Sequence, residues 1–189
     1  MKKVYIIQGR GGKPEHGWYQ WLAEELKRKG FQVFLPQMPN TDMPTINEWV
    51  GALRSIAPTP DEETYFVGHS IGCQTILRYL VTLPPETKLN NVILVAPWVS
   101  LDEKTMAEEP GSIPIARPWI ETPIDFDKAK LHPKKFICLF SDNDTYVPPD
   151  NQKFFQEKLS AEIIIDKGKG HFDKDSGIKE LPGILSFFN

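Results

Sequence analysis

The chain of 189 residues holds only two cysteines, Cys73 and Cys138. That is too few for a disulfide framework, and their spacing suits no metal site. Both sit in apolar surroundings, so the sequence predicts buried free thiols, which fit a reducing cytoplasm. Long apolar runs are also missing. No segment approaches the length of a membrane span. Met1-Lys2-Lys3 leads only into Val4 to Ile7 before Gln8-Gly9-Arg10 ends the run, which leaves no hydrophobic region for a signal peptide. Nor does either charge sign dominate: 22 Lys and Arg stand against 25 Asp and Glu, with a net charge of −3. There is no basic block, so nothing favours nucleic acid or an anionic membrane as a partner. Internal repeats and low-complexity tracts are absent.

What is present is ordinary for a globular protein, with 40% hydrophobic and 25% charged residues. The length suits one domain over residues 1–189 with a sizeable core. The 17 prolines fall mostly in loops.

Short apolar runs alternate with helical patterns. Strands are predicted at Val4–Gln8, Phe31–Leu35, Thr64–Val67, Asn91–Ala96, Lys135–Phe140 and Glu162–Asp166. Between them, Trp18–Lys29, Thr45–Ala57, Cys73–Val81 and Asp150–Leu159 read as helices, with a last amphipathic helix over Ile178–Phe188 broken near Pro182. Such alternation argues an α/β fold of three layers, with a mostly parallel six-stranded sheet in the order 2-1-3-4-5-6 and no large cap. Residues 97–124 are proline-rich without clean periodicity and read as an excursion over the sheet edge. Trp98 and Trp119 in it are candidates to line a substrate pocket, or simply pack under the loop. Asn40 is a further substrate-binding candidate. It lies in the irregular Pro36–Pro44 loop at a strand's C-terminal end, where open α/β sheets bind ligands.

The chemistry centres on Gly68-His69-Ser70-Ile71-Gly72, a G-x-S-x-G pattern between a strand and a helix. Glycines two residues to either side of a serine admit a sharp, strained turn that lifts Oγ out of the sheet. The same turn leaves the Ile71 N–H at a helix N-terminus, facing a developing oxyanion. Alone the pattern is also that of a glycine-flanked helix cap. A serine hydroxyl needs an imidazole to take its proton and a carboxylate to orient that imidazole. Asp144 and His171 follow Ser70 in chain order, and each follows a predicted strand, so a parallel sheet brings all three to one edge. Asp142 is a rival acid, better suited to capping the turn. Of the other histidines, His69 is directed away by the turn, while His16 and His132 lie in polar loops. The Gly9-Arg10-Gly11-Gly12 turn matches no phosphate-binding signature, and places the Arg10 N–H as a second oxyanion donor. Asp142-Asn143-Asp144 lacks the register of a calcium loop. No metal and no cofactor is implied.

Taken together, H-G-W-Y-Q-W-L, L-P-Q-M-P-N, V-G-H-S-I-G-C, A-P-W, S-D-N-D-x-x-V-P and G-H-F resemble the small α/β-hydrolase-fold serine hydrolases of the retinoblastoma-binding type, over nearly the whole chain. The resemblance implies a compact six-stranded fold, a triad on Ser70, Asp144 and His171, and carboxylesterase-like action on small acyl substrates. The L-x-C-x-E motif linked to retinoblastoma-protein binding is absent. The expectation is therefore a cytoplasmic hydrolase of a small ester, thioester or amide. An acyltransferase on the same residues and a non-catalytic protein-interaction module with a retained site are the alternatives.

Overall fold

Six apolar runs pair side by side through their backbones in the computed structural model, which describes residues 1–109 and 111–189. The strands are β1 (Lys3–Ile7), β2 (Gln32–Phe34), β3 (Thr64–His69), β4 (Val92–Val95), β5 (Phe136–Ser141) and β6 (Glu162–Asp166). They form one sheet, every pairing parallel, in the order β2-β1-β3-β4-β5-β6. β3, β4 and β5 are buried along their whole length. That is why they read as continuous apolar runs rather than alternating ones.

Helices α1 (Gly17–Arg28), α2 (Ile46–Ile56), α3 (Ile71–Leu80), α4 (Glu103–Glu108), α5 (Ser112–Glu121), α6 (Phe126–Lys130) and α7 (Asp150–Leu159) connect the strands. α2, α3, α6 and α7 contact one another in series. All four belong to connections running in one direction across the sheet, so right-handed crossovers place them on one face. α1 joins β1 to β2 in the opposite direction and covers the other face. Its buried stripe is Trp18, Tyr19, Leu22, Ala23 and Leu26. Among the described residues no helix is long and apolar enough to cross a membrane. Both cysteines are buried free thiols.

Two expectations are corrected. Residues 97–124 are not irregular, since α4 and α5 lie within them. Asp102 caps α4 by accepting the Thr105 N–H at 2.8 Å; just beyond the segment, Asp125 caps α6 in the same way, accepting the Lys128 N–H at 3.0 Å. Such a cap satisfies an N–H at the start of a short helix. The C-terminal segment is not an amphipathic α-helix: only Pro182–Phe187 coil, as a 3-10 turn. Pro182 starts that turn, where its missing N–H costs nothing.

The register aligns the C-terminal ends of the strands. Ile7 pairs with Gly68, His69 with Val95, and Ser141 with Asp166. The loops after β1, β3, β4, β5 and β6 therefore emerge along one edge.

Candidate active site

Ser70 stands between β3 and α3 with φ 51° and ψ −118°. This is a strained conformation for a residue bearing a Cβ, and it is held by the surrounding structure. The two flanking glycines are required by contact. A Cβ on Gly68 would lie 2.8 Å from the Cys73 nitrogen, and one on Gly72 would lie 2.4 Å from the Ile7 carbonyl oxygen. Helix and sheet approach so closely here that no side chain fits.

Ser70 Oγ lies 2.9 Å from His171 Nε2, and His171 Nδ1 lies 2.8 Å from Asp144 Oδ2. A carboxylate can only accept, so Nδ1 carries the proton and Nε2 is left to accept from the serine hydroxyl. The Asp144 side chain is 3% exposed. Its Oδ1 accepts the N–H groups of Tyr146 (2.9 Å) and Val147 (3.2 Å), which fix the carboxylate in place.

The residues before Asp144 have a separate task. Asp142 Oδ1 accepts the Gly168 N–H at 2.8 Å, Ser141 Oγ the Lys169 N–H at 2.9 Å, and Asn143 Oδ1 the Gly170 N–H at 2.8 Å. Three successive side chains at the end of β5 and just beyond it thus clamp three successive amides after β6, and the fourth orients the histidine. The Asp142, Asn143 and Asp144 side chains go to different partners and do not converge on a common point.

The loop after β1 supplies the other wall. Gly9 N–H donates to Tyr19 Oη (3.2 Å), Gly11 N–H to the Thr41 carbonyl (2.8 Å) and Gly12 N–H to the Gly9 carbonyl (3.1 Å). Among the described residues, the Arg10 N–H alone in this loop has no partner, and the Ile71 N–H at the start of α3 has none either. Both residues line the same cavity as Ser70. The Arg10 side chain reaches across that cavity. Its Nη1 donates to Ser112 Oγ at 2.6 Å and pairs with Glu109 at 3.5 Å, while Nε donates to the Asp42 carbonyl at 3.3 Å. Tyr146 donates its hydroxyl to Glu109. That bond holds the Glu109 carboxyl below its usual range and, with burial, pushes the phenol up.

The cavity encloses about 370 Å³. Trp98, Leu101, Met106, Ile115 and Ala116 form its apolar side, and Asp42, Glu109, Asp173, Lys174 and Asp175 its charged rim. Trp98 does more than line it: its Nε1–H donates to Ser70 Oγ at 3.2 Å.

Two expected substrate residues lie elsewhere. Trp119 is buried in the layer between α5 and α2, with its indole N–H donated to the Pro44 carbonyl at 3.1 Å and Trp49 packed edge-on at 6.3 Å. Asn40 is an exposed turn residue with φ 45°, and its amide donates to Glu48 at 2.9 Å. Neither reaches the cavity. His132 lies in the loop between α6 and β5 but is itself buried, with Nδ1 bonded to the Thr87 carbonyl. His69 does point away from the serine hydroxyl, but into a buried network. Its Nδ1 meets Tyr19 Oη at 2.5 Å and its Nε2 the His171 carbonyl oxygen at 2.7 Å.

Burial, then the nearby His171, lower the His69 pKa from 6.5 to about 4. The unfolded chain therefore binds a proton over this interval that the folded chain refuses. The stability His69 contributes is complete above about pH 6.5 and is lost as pH falls towards 4, about 3 kcal/mol in all. Denaturant unfolding at pH 7 and pH 4.5 checks this. The loss between the two should be smaller in His69→Gln than in the unmodified protein, and an equal loss in both contradicts the assignment.

An all-parallel sheet in this order, with a serine on a glycine-flanked turn after its third strand, defines the α/β-hydrolase class. Within that class the chain belongs to the serine hydrolase family, whose model, described as "Serine hydrolase", matches residues 4–189. It is 31% identical over 182 residues to the hydrolase YdeN of Bacillus subtilis, covering 96% of this chain and 91% of that protein. It is 28% identical over 173 residues to the serine hydrolase RBBP9 of Rattus norvegicus, covering 90% and 87%. The crystal structure of the B. subtilis ydeN gene product superposes with a TM-score of 0.88 at 29% identity, covering 100% of this chain and 99% of that one. At 16% identity, a carboxylesterase structure from the thaumarchaeon Nitrososphaera gargenis shares the fold, with a TM-score of 0.74 over 99% and 89% of the two chains.

Proposed function

We propose that this hydrolase cleaves small carboxylic esters, with thioesters and amides as chemically related substrates, through an acyl-enzyme on Ser70. The observation that carries the reading is the hydrogen-bonded series Asp144–His171–Ser70 ending beside two amides that have no partner among the described residues. His171 Nε2 takes the Ser70 proton as Oγ bonds to the substrate carbonyl carbon. The carbonyl oxygen becomes an oxyanion, stabilised by the N–H groups of Arg10 and Ile71. Asp144 holds the imidazole and stabilises its cation. The tetrahedral adduct collapses, the alkoxide leaves with the proton from His171, and Ser70 carries the acyl group. Water, deprotonated by the same histidine, attacks the acyl-enzyme, and the acid is released as Ser70 regains its proton. Trp98, Leu101, Met106, Ile115 and Ala116 offer a surface for a short acyl chain, and these residues require no cofactor for the cycle.

The test is turnover of a series of short p-nitrophenyl esters, with product analysis in the presence of a competing alcohol. The expected result is stoichiometric free acid. Dominant transfer to the alcohol would make the protein an acyltransferase on the same residues. No turnover on any short ester would remove the esterase reading and leave an interaction module with a retained site.

A further inference from the structure

His69 is buried, 2% exposed, and takes no part in the cycle just described. A buried histidine is often only a core residue, but the partners of this one are unusual. The His171 carbonyl oxygen can only accept a hydrogen bond, so Nε2 of His69 carries the proton. In a neutral ring Nδ1 is then an acceptor, and the hydroxyl of Tyr19 donates to it. The same hydroxyl accepts the N–H of Gly9, the residue before Arg10. One continuous series therefore runs from the loop after β1, through α1, to the backbone of His171.

The loop that carries His171 needs such support. Gly170 and Phe172, on either side of the histidine, both have positive φ, 52° and 57°. A non-glycine residue in this region persists only where its surroundings impose it. Trp18 donates its indole N–H to the Phe172 carbonyl at 2.9 Å, and His69 donates to the carbonyl of His171 itself.

We propose that His69 is a positioning residue: as a neutral Nε2–H imidazole it fixes the backbone of His171 and, through Tyr19, the Gly9–Arg10 loop, so that one side chain sets both the general base and an oxyanion donor. The proposal rests on the esterase reading of Ser70 and His171. It adds a role in that reaction for a residue that touches no reacting atom.

Three variants test it: His69→Leu, which fills the space without a donor; His69→Gln, whose amide N–H can still reach the His171 carbonyl; and Tyr19→Phe. With a short p-nitrophenyl ester, His69→Leu should lower kcat by roughly 10–100-fold with KM within about threefold, because the misplaced groups act on the transition state. His69→Gln should recover kcat to within about fivefold of the unmodified protein. Tyr19→Phe should lower kcat roughly 3–10-fold, and should add little to His69→Leu, since both cut one series. A core-filling role predicts the opposite pattern: a lowered melting temperature in all three, with kcat within about twofold. Equal losses of kcat in the Leu and Gln variants would also overturn the proposal. Should His69→Leu fail to fold, Tyr19→Phe decides alone, and full kcat in that variant overturns the proposal. A readout without turnover separates this from failure of the esterase reading. Imidazole ¹⁵N spectra should show His69 as the Nε2–H tautomer, and the His171 ring resonances should move in Tyr19→Phe. If no ester is turned over but those resonances move, the esterase reading fails and the positioning stands. If they stay put, the positioning fails.

Discussion

Asp144→Asn should lower kcat on a short ester by roughly ten-thousand-fold while leaving the fold intact. The carboxylate takes only acceptor roles. Oδ2 accepts from His171 Nδ1, and Oδ1 accepts from the Tyr146 and Val147 amides. An asparagine satisfies those amides with its carbonyl oxygen and then presents an NH2 group to Nδ1. The imidazole answers by keeping its proton on Nε2, where it can no longer take one from Ser70. Asp142→Asn is the control. That side chain accepts only the Gly168 N–H, a task the amide oxygen performs equally well, so kcat should stay within about threefold. Steady-state kinetics on both variants decides between the two carboxylates, and the reverse ranking would show that Asp142 is the acid.

The second large effect is on stability. Gly72→Ala puts a methyl group 2.4 Å from the Ile7 carbonyl oxygen and 2.7 Å from that of Gln8, both backbone atoms of an interior strand and its exit. Neither can rotate away, so α3 must shift from β1. Overpacking of this kind costs about 3 kcal/mol or more, a drop of roughly 10 °C in Tm for a chain this size. Gly51→Ala is the matching control, because Gly51 is exposed in α2 and an added Cβ meets nothing within 4 Å. There the ordinary helix preference for alanine should apply and raise stability by up to about 1 kcal/mol. Thermal unfolding of the pair separates close approach from propensity. Similar Tm changes in both would mean that the contact at Gly72 relaxes freely.

The sheet, its order and the placing of Ser70, Asp144 and His171 were legible because they depend on local pattern plus one rule. Each residue follows an apolar strand, and a parallel sheet gathers the C-terminal ends of its strands on one edge. Asp144 could be preferred to Asp142 on loop geometry, and that is the carboxylate found against His171. What could not be read depends on which partner the fold offers each side chain. Trp119 and Asn40 lie in segments near the site, but the carbonyl of Pro44 and the carboxylate of Glu48 draw their side chains elsewhere. The helices α4 and α5 were hidden by proline content, and the cap that Asp102 places on α4 is a finding of the structure. The sharp turn is enough to direct His69 away from the serine hydroxyl. Nothing in the sequence says that the space it turns into holds Tyr19 and the backbone of His171. The clamp formed by Ser141, Asp142 and Asn143 was equally hidden, since the partners are amides 28, 26 and 27 residues away.

The central claim is that Ser70 Oγ is the nucleophile. Incubation with a fluorophosphonate probe, followed by intact mass and peptide mapping, tests it without reference to any substrate. One probe per chain is expected, attached at Ser70, with no labelling of Ser70→Ala at the same fold stability. An unlabelled unmodified protein, or equal labelling of both proteins, would contradict it.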